Sequence, residues 1–428
     1  MIKFFFIILI IFSSCSLEKK SFFKNKTIAE NQEIDLKEID SKKIIKEDFN
    51  KDIKINLSKT IKNNKFKELR NNYGREKFDS DLTSVSKYKI KKIKNFSNFE
   101  PKIVFNPEGL IFFEKEGTLK KYDYAQELIW KKNIYSKQEK RSDILINLAY
   151  TNDILIVTDN LAKYYAVNSQ NGELIWSKTN LTPFNSQIKI YKDKFYIVDY
   201  ENILHCFSIK DGNKIWSYQT DNFFVKSKKK LSIIIENEKV IFNNSIGDIT
   251  ALDANKGILL WQTPTQNNLV YAESASLITS DLVLEKDSIF FSNNRNEFYS
   301  INKDNGFLNW KQNINSNIRP VISNDIIFTV SNEGFLYFID SIGGNIIKSN
   351  NLLINFKAKH RGSIKPIGIV LGSDKIFLSL NNGKLIVASI QTGEIINTFK
   401  LDGNQISKPF IFDNKLYIIK DNSIIEYK

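Results

Sequence analysis

Two histidines and two cysteines are the whole supply of imidazole and thiol side chains in this 428-residue chain. His205 and Cys206 stand side by side in a segment that reads as a strand, and both are expected to pack. His360 follows Lys359 in a loop and is expected to be exposed. Neither a zinc-type ligand set nor a nucleophile–histidine–carboxylate triad can be built from these residues. Carboxylates are numerous, but they sit in turn and surface positions. The phrase Asp253-Ala254-Asn255-Lys256-Gly257 has the look of an oxygen-rich calcium loop. The same turn recurs throughout the chain without a matching set of carboxylates, so it reads as a hairpin turn. No catalytic, cofactor-binding or metal-ligating residue is assigned, and no cofactor is expected.

The one residue with a definite chemical expectation is Cys15. Lys3 gives a positive head, Phe4 to Phe12 is an unbroken apolar run, and Ser13-Ser14 lead into the cysteine. The run is far shorter than the ~20 residues needed to span a bilayer as a helix. It reads as a signal peptide over residues 1–14. Small residues directly before a cysteine resemble the lipobox of bacterial lipoproteins, which implies cleavage before Cys15 and acylation of its thiol. Phe12 departs from the leucine usual at the first position of that motif, and an ordinary signal peptide is the alternative. Several acyl chains would hold the protein on a membrane stably, whereas one would not. Ser16, where aspartate often marks inner-membrane retention, favours the outer membrane. With Cys15 modified, Cys206 has no disulfide partner and reads as a small buried apolar residue.

What positions the remainder is a repeat. The five tryptophans, Trp130, Trp176, Trp216, Trp261 and Trp310, are spaced by 46, 40, 45 and 49 residues and end near-identical phrases such as Gly172-Glu173-Leu174-Ile175-Trp176. Within each unit short apolar strands alternate with Asn-, Asp- and Gly-rich turns, as in Val240-Ile241-Phe242, then Ile249-Thr250-Ala251-Leu252, then Ile258-Leu259-Leu260-Trp261. A strand-rich period of roughly 40–50 residues is the signature of a β-propeller. The tryptophan is expected to lay its ring on the next blade and to donate its N–H to a backbone carbonyl. Lys348 and Asn397 take its place in the sixth and seventh copies. The last copy, from Lys415 to Tyr427, stops before an outer strand. An open edge invites aggregation, so the missing strand is expected from the segment Tyr88-Lys89-Ile90-Lys91-Lys92-Ile93. The reading is all-β: an eight-bladed propeller over residues 84–428, closed by pairing the two ends of the chain. Residues 15–83, rich in Lys, Glu, Asp and Asn, read as a lipid-anchored, partly disordered tether.

The net charge of +14 comes from dispersed lysines with no nucleic-acid-binding motif, so no nucleic-acid partner is expected. The blade phrase resembles that of pyrroloquinoline-quinone-dependent dehydrogenases, which implies an enzyme as one alternative. Those enzymes need a vicinal disulfide and a Glu/Asn/Asp calcium cluster, and this chain has no Cys-Cys pair. A propeller lipoprotein serving another envelope partner is a second alternative. A lipoprotein signal followed by eight PQQ-like repeats, with tryptophan ending the first five outer strands, resembles the BamB family of outer-membrane protein assembly factors. That resemblance implies a non-enzymatic scaffold on the periplasmic face of the outer membrane, bound to BamA and other subunits of the assembly machinery and assisting unfolded outer-membrane proteins. It also implies a BamA-facing loop after Trp216. Here that stretch carries Phe223, Phe224, Val225, Lys226 and Lys228; Val225 falls at the first aliphatic position, Ser227 replaces the second, and Lys228 stands where arginine is usual. Lysine lacks the bidentate fork of arginine. Packing between blades is the alternative role for this loop.

Overall fold

In the computed structural model each copy of the repeat forms one four-stranded antiparallel sheet, and eight such sheets occur among the described residues. Those residues are 55, 57, 60, 65–79, 82–90, 102–221, 227, 229–265, 277–420 and 422–428. All belong to one unit, Asp48–Lys428. Blade 1 spans 104–132, blade 2 146–179, blade 3 189–219, blade 4 233–263, blade 5 283–312, blade 6 321–351 and blade 7 366–400.

Blade 4 shows why the sequence takes this form. Its strands are Ile233–Glu236, Lys239–Asn243, Ile249–Asp253 and Leu259–Thr263. Asn237 and Glu238 both have positive φ, the geometry of a tight hairpin turn that follows the strand twist. The two middle strands are buried on both faces, as sheets stacked between neighbours must be. At the third turn the Asp253 carboxylate accepts the N–H groups of Asn255 and Lys256, each at 2.8 Å. That oxygen therefore serves the backbone, as the hairpin-turn reading requires.

Blades 1 to 7 each carry a β-bulge between the third and fourth strands. The bulge falls just before the repeat tryptophan and turns its ring toward the next blade. There the ring lies against the glycine of the next third turn. A Cβ on Gly172 would stand 2.8 Å from Trp130, on Gly212 2.7 Å from Trp176, on Gly257 2.6 Å from Trp216, and on Gly306 or Gly344 2.5 Å from Trp261 or Trp310. The indole N–H groups donate to Ser169, Ile209, Ala254, Lys303 and Ser341 carbonyls at 2.9–3.2 Å. Where Lys348 replaces tryptophan, its ammonium reaches the Gln391 carbonyl at 3.2 Å instead. Apolar clusters join consecutive blades around the ring, so the core is a closed belt between sheets.

The ring closes as the repeat count requires, with a shift in the closing strand. Ser84–Lys89 supplies the outer strand of blade 8, pairing Ser84 with Tyr427 and Lys89 with Ser423. The expected donor began four residues later, at Tyr88. The period-2 pattern decides the register: Tyr88 and Ile90 point into the core while Lys87 and Lys89 point out. Residues 91–93 lie outside the described residues. Two hydrogen bonds between Thr83 and Lys428 lock the junction at 3.0 and 2.9 Å. At this seam the outer strand carries no tryptophan, and the turn residue opposite is Gln126 rather than glycine. Gln126 has φ 73 and accepts the Lys87 N–H across the seam at 3.0 Å.

Lys65–Asp79, within the stretch read as a tether, packs on the propeller. It opens with the helix Lys65–Arg70 and runs past the inner strands of blades 3 to 7 in turn before entering blade 8. Lys189 of blade 3 donates to Asn71 at 2.5 Å. Asn71 donates to Ser232, Ile233 and Leu282 in blades 4 and 5. Asn72 donates to Glu285 and to the Ile322 carbonyl, and accepts the Ile322 N–H. Glu76 N–H meets the Leu371 carbonyl at 2.9 Å, and Phe78 is buried beside Phe377 in blade 7. This strap is a built part of the fold.

Candidate functional site

Two of the residues with intrinsic chemistry, His205 and Cys206, occupy buried structural positions. The His205 imidazole Nε2 lies 2.9 Å from Asp199 Oδ2, a pairing that suggests a catalytic dyad. However, the other Asp199 oxygen accepts the N–H groups of Glu201 and Ile203, which fixes a hairpin turn. The imidazole is buried and stacks on Phe207. Cys206 is fully buried opposite Trp216, and burial pushes its thiol up to about 12, far from the thiolate a nucleophile needs. His360 is exposed in the short helix Ala358–Arg361. Cys15 and the loop residues Phe223, Phe224, Val225, Lys226 and Lys228 lie outside the described residues. Within that loop Ser227 is buried, its hydroxyl donating to the Lys229 carbonyl at 2.9 Å.

The feature that sequence reading missed is an axial cavity of about 440 Å³. Asn71 and Tyr73 of the strap form part of its lining. Its walls come from residues at or just before the starts of inner strands, among them Lys102, Lys189, Lys229, Lys230, Arg319 and Lys408. Lys102, Asp281, Arg319 and Lys408 each stand two residues before an inner strand. Aligning the repeats at that position would have shown that they gather at one level of the ring. Among the described residues Asp281 is the single carboxylate of the lining. Its oxygens lie 3.3 Å from Lys229, 3.8 Å from Lys408 and 3.9 Å from Arg319. Burial would raise its pKa, but these three cations outweigh that and hold the carboxyl well below its usual value. Lys189 is lowered as well: burial, with Lys102 nearby, brings it down to about 7.

Could this cavity hold a calcium-bound quinone? Such a group needs a carboxylate-rich donor set, and the single carboxylate among the described lining residues is already engaged by three cations. Among the described residues no group of three His, Cys, Asp or Glu side chains could hold a metal ion. The described residues do not fit that cofactor. Nor is any described helix long and apolar enough to cross a membrane.

The comparisons agree with the architecture. The chain resembles the crystal structure of BamB from Moraxella catarrhalis with a TM-score of 0.65 at 15% identity, covering 81% of this chain and 99% of that one. A similar likeness links it to quinohemoprotein alcohol dehydrogenase from Comamonas testosteroni, with a TM-score of 0.64 at 11% identity over 85% of this chain and 79% of that one. A computationally designed protein, Ika8, matches at 0.60 and 10% identity over 79% of this chain and 99% of that one. Identities this low establish the fold alone. A search of curated proteins finds no match. A family model described as outer membrane protein assembly factor BamB matches residues 115–350, more than half of the chain, and the protein belongs to that family.

Proposed function

We propose that this protein is a non-enzymatic scaffold of the machinery that inserts β-barrel proteins into the outer membrane. It is held on the periplasmic face through acylated Cys15 and docks on BamA. The observation that carries this reading is the family match across the repeats. The geometry supports it. Tryptophan–glycine seams and a closed belt of apolar clusters make a rigid ring, and a rigid ring can present variable loops at fixed positions. The loop after Trp216, with Phe223, Phe224, Val225, Lys226 and Lys228, is the proposed contact with BamA. The outer strands are open edges with exposed aliphatic pairs, Leu128-Ile129, Leu174-Ile175 and Leu259-Leu260 among them. Unfolded outer-membrane proteins can add a strand to such edges.

Affinity capture of the native lipoprotein from membranes in mild detergent tests the reading, with BamA expected as the main recovered protein. Recovery of a different envelope component in its place would overturn it. Val225→Asp with Lys228→Glu is expected to abolish capture while leaving the circular dichroism spectrum unchanged. Undiminished capture would remove the loop from the account.

A further inference from the structure

The link between blades 6 and 7 stands apart in charge. Between residues 341 and 373 the chain carries five cations, Lys348, Lys357, Lys359, Arg361 and Lys365, and no carboxylate. The last four fall in the loop 352–365, which follows the outer strand Ile346–Asn351 and precedes the inner strand Pro366–Leu371. This loop is firmly built. Leu352, Leu353 and Ile364 are buried in the apolar cluster of the two blades. The Arg361 guanidinium donates to the Ile354 carbonyl at 2.6 Å and to the Phe356 carbonyl at 2.9 Å. The Asn381 side chain donates to the Ser363 carbonyl at 3.0 Å and accepts the Lys365 N–H at 2.9 Å. Held in this way, the loop presents Ile354, Lys357, Lys359, His360 and Lys365 to solvent. Among the described residues Lys357, Lys359 and Lys365 make no ion pair. Ile354, in the same loop, is 53% exposed. Solubility is served by charges of both signs and gives no reason for a bare isoleucine beside them.

The amino-terminal side of the chain meets the propeller at the same cluster. Ile55 is buried in it, and Leu57 packs against it. The proposed acyl anchor, Cys15, lies 40 residues before Ile55 (55 − 15). An anchor joined to the ring at this cluster raises the effective concentration of lipid at the neighbouring loop. We propose that the loop 352–365 docks on an anionic phospholipid surface, with Lys357, Lys359 and Lys365 among the headgroup phosphates and Ile354 toward the acyl chains. The inference rests on the membrane attachment proposed above. Each lysine near such a surface contributes weakly, and salt screens the attraction. The contact therefore orients an attached propeller and is not itself the anchor. The proposed BamA contact joins blades 3 and 4, so the two surfaces use different links of the ring.

The test uses the full chain, extracted from membranes and mixed with millimolar lipid as vesicles of phosphatidylcholine alone or with an equal share of phosphatidylglycerol. Flotation with phosphatidylcholine reports the anchor. An environment-sensitive fluorophore on Asn355→Cys, corrected for the parent chain labelled in the same way, reports the loop. Its emission should shift to the blue, and nitroxide-bearing lipid should quench it, only where phosphatidylglycerol is present. Molar salt should abolish that response. Lys357→Glu with Lys359→Glu should weaken it by about tenfold or more, whereas Lys357→Arg with Lys359→Arg should preserve it. Circular dichroism confirms that each variant is folded. A chain that floats with both vesicles while the fluorophore stays silent, or responds to both lipids alike, overturns the docking surface and leaves the anchor standing. A chain that floats only with phosphatidylglycerol, with the fluorophore responding, supports the surface and removes the anchor. Flotation with neither overturns both. A photo-crosslinker at position 355 in cells covers the remaining case: a protein adduct in place of lipid would overturn the surface in favour of an acidic protein partner.

Discussion

Replacing Gly257 by alanine tests the seam between blades most sharply. Gly257 has φ +69, and an added Cβ would lie 2.6 Å from Trp216 Cδ2 and 2.7 Å from Cε3. Two penalties follow. Alanine in the left-handed region costs about 1–2 kcal/mol, and forcing a methyl group into a packed contact costs roughly 1–3 kcal/mol more. Gly257→Ala should therefore destabilise by about 2–5 kcal/mol. Trp216→Ala removes the ring and the 3.2 Å N–H bond to Ala254, at a cost of roughly 3 kcal/mol or more. In that background the steric penalty vanishes and only the backbone strain remains. The second substitution should then cost about 1–2 kcal/mol, leaving a coupling of about 1–3 kcal/mol. Urea unfolding of the four proteins by far-UV circular dichroism, with hydrogen exchange on the strands around the seam, measures the cycle. Gln126, in the same repeat position at φ 73, serves as reference because no tryptophan opposes it. Strict additivity of the two substitutions would refute the seam as described.

Three further outcomes are expected. Asn72→Ala breaks bonds to Glu285 and to both backbone groups of Ile322; it should release the strap at a cost of about 2–4 kcal/mol, seen as faster amide exchange in 65–79 while the blades keep their protection. Glu76, buried against Lys67 at 2.5 Å, is pushed up to about 7 by burial, opposed by that lysine. A raised folded-state pKa contributes stability below the unfolded value near 4.5, and that contribution is lost as pH rises through 7. Strap protection should thus fall between pH 5 and pH 8 by an amount on the order of 2–3 kcal/mol, and Glu76→Gln should flatten the dependence. Tyr88→Asp places a charge at a buried position of the closing strand; urea midpoints should drop, with exchange rising first in Ser84–Lys89 and Ser423–Tyr427.

How much of this was legible in the sequence depends on whether a signal repeats. Blade number, the seams and the need for closure could be read because Trp, Gly and the short apolar strands recur in a fixed order. The truncated last copy pointed to the amino-terminal donor, and only its register was off, since Lys-Ile alternation continues beyond Ile90. Residues 65–79 were opaque for a physical reason. The strap docks through the amides of Asn71 and Asn72 onto backbone groups, so it shows no apolar periodicity and looks like any polar stretch. The axial cavity was hidden because its cations come from five distant points in the chain and meet only once the ring has closed. His205 and Cys206 were rightly read as packing residues, although the Asp199 contact could not have been foreseen.

The scaffold account is tested most directly by placing a photo-crosslinking amino acid at position 225 of the full-length lipoprotein in living cells. Irradiation should yield one dominant adduct, to BamA, and the adduct should be lost when Lys228→Glu is added. A dominant adduct to some other envelope protein, with none to BamA, would contradict it.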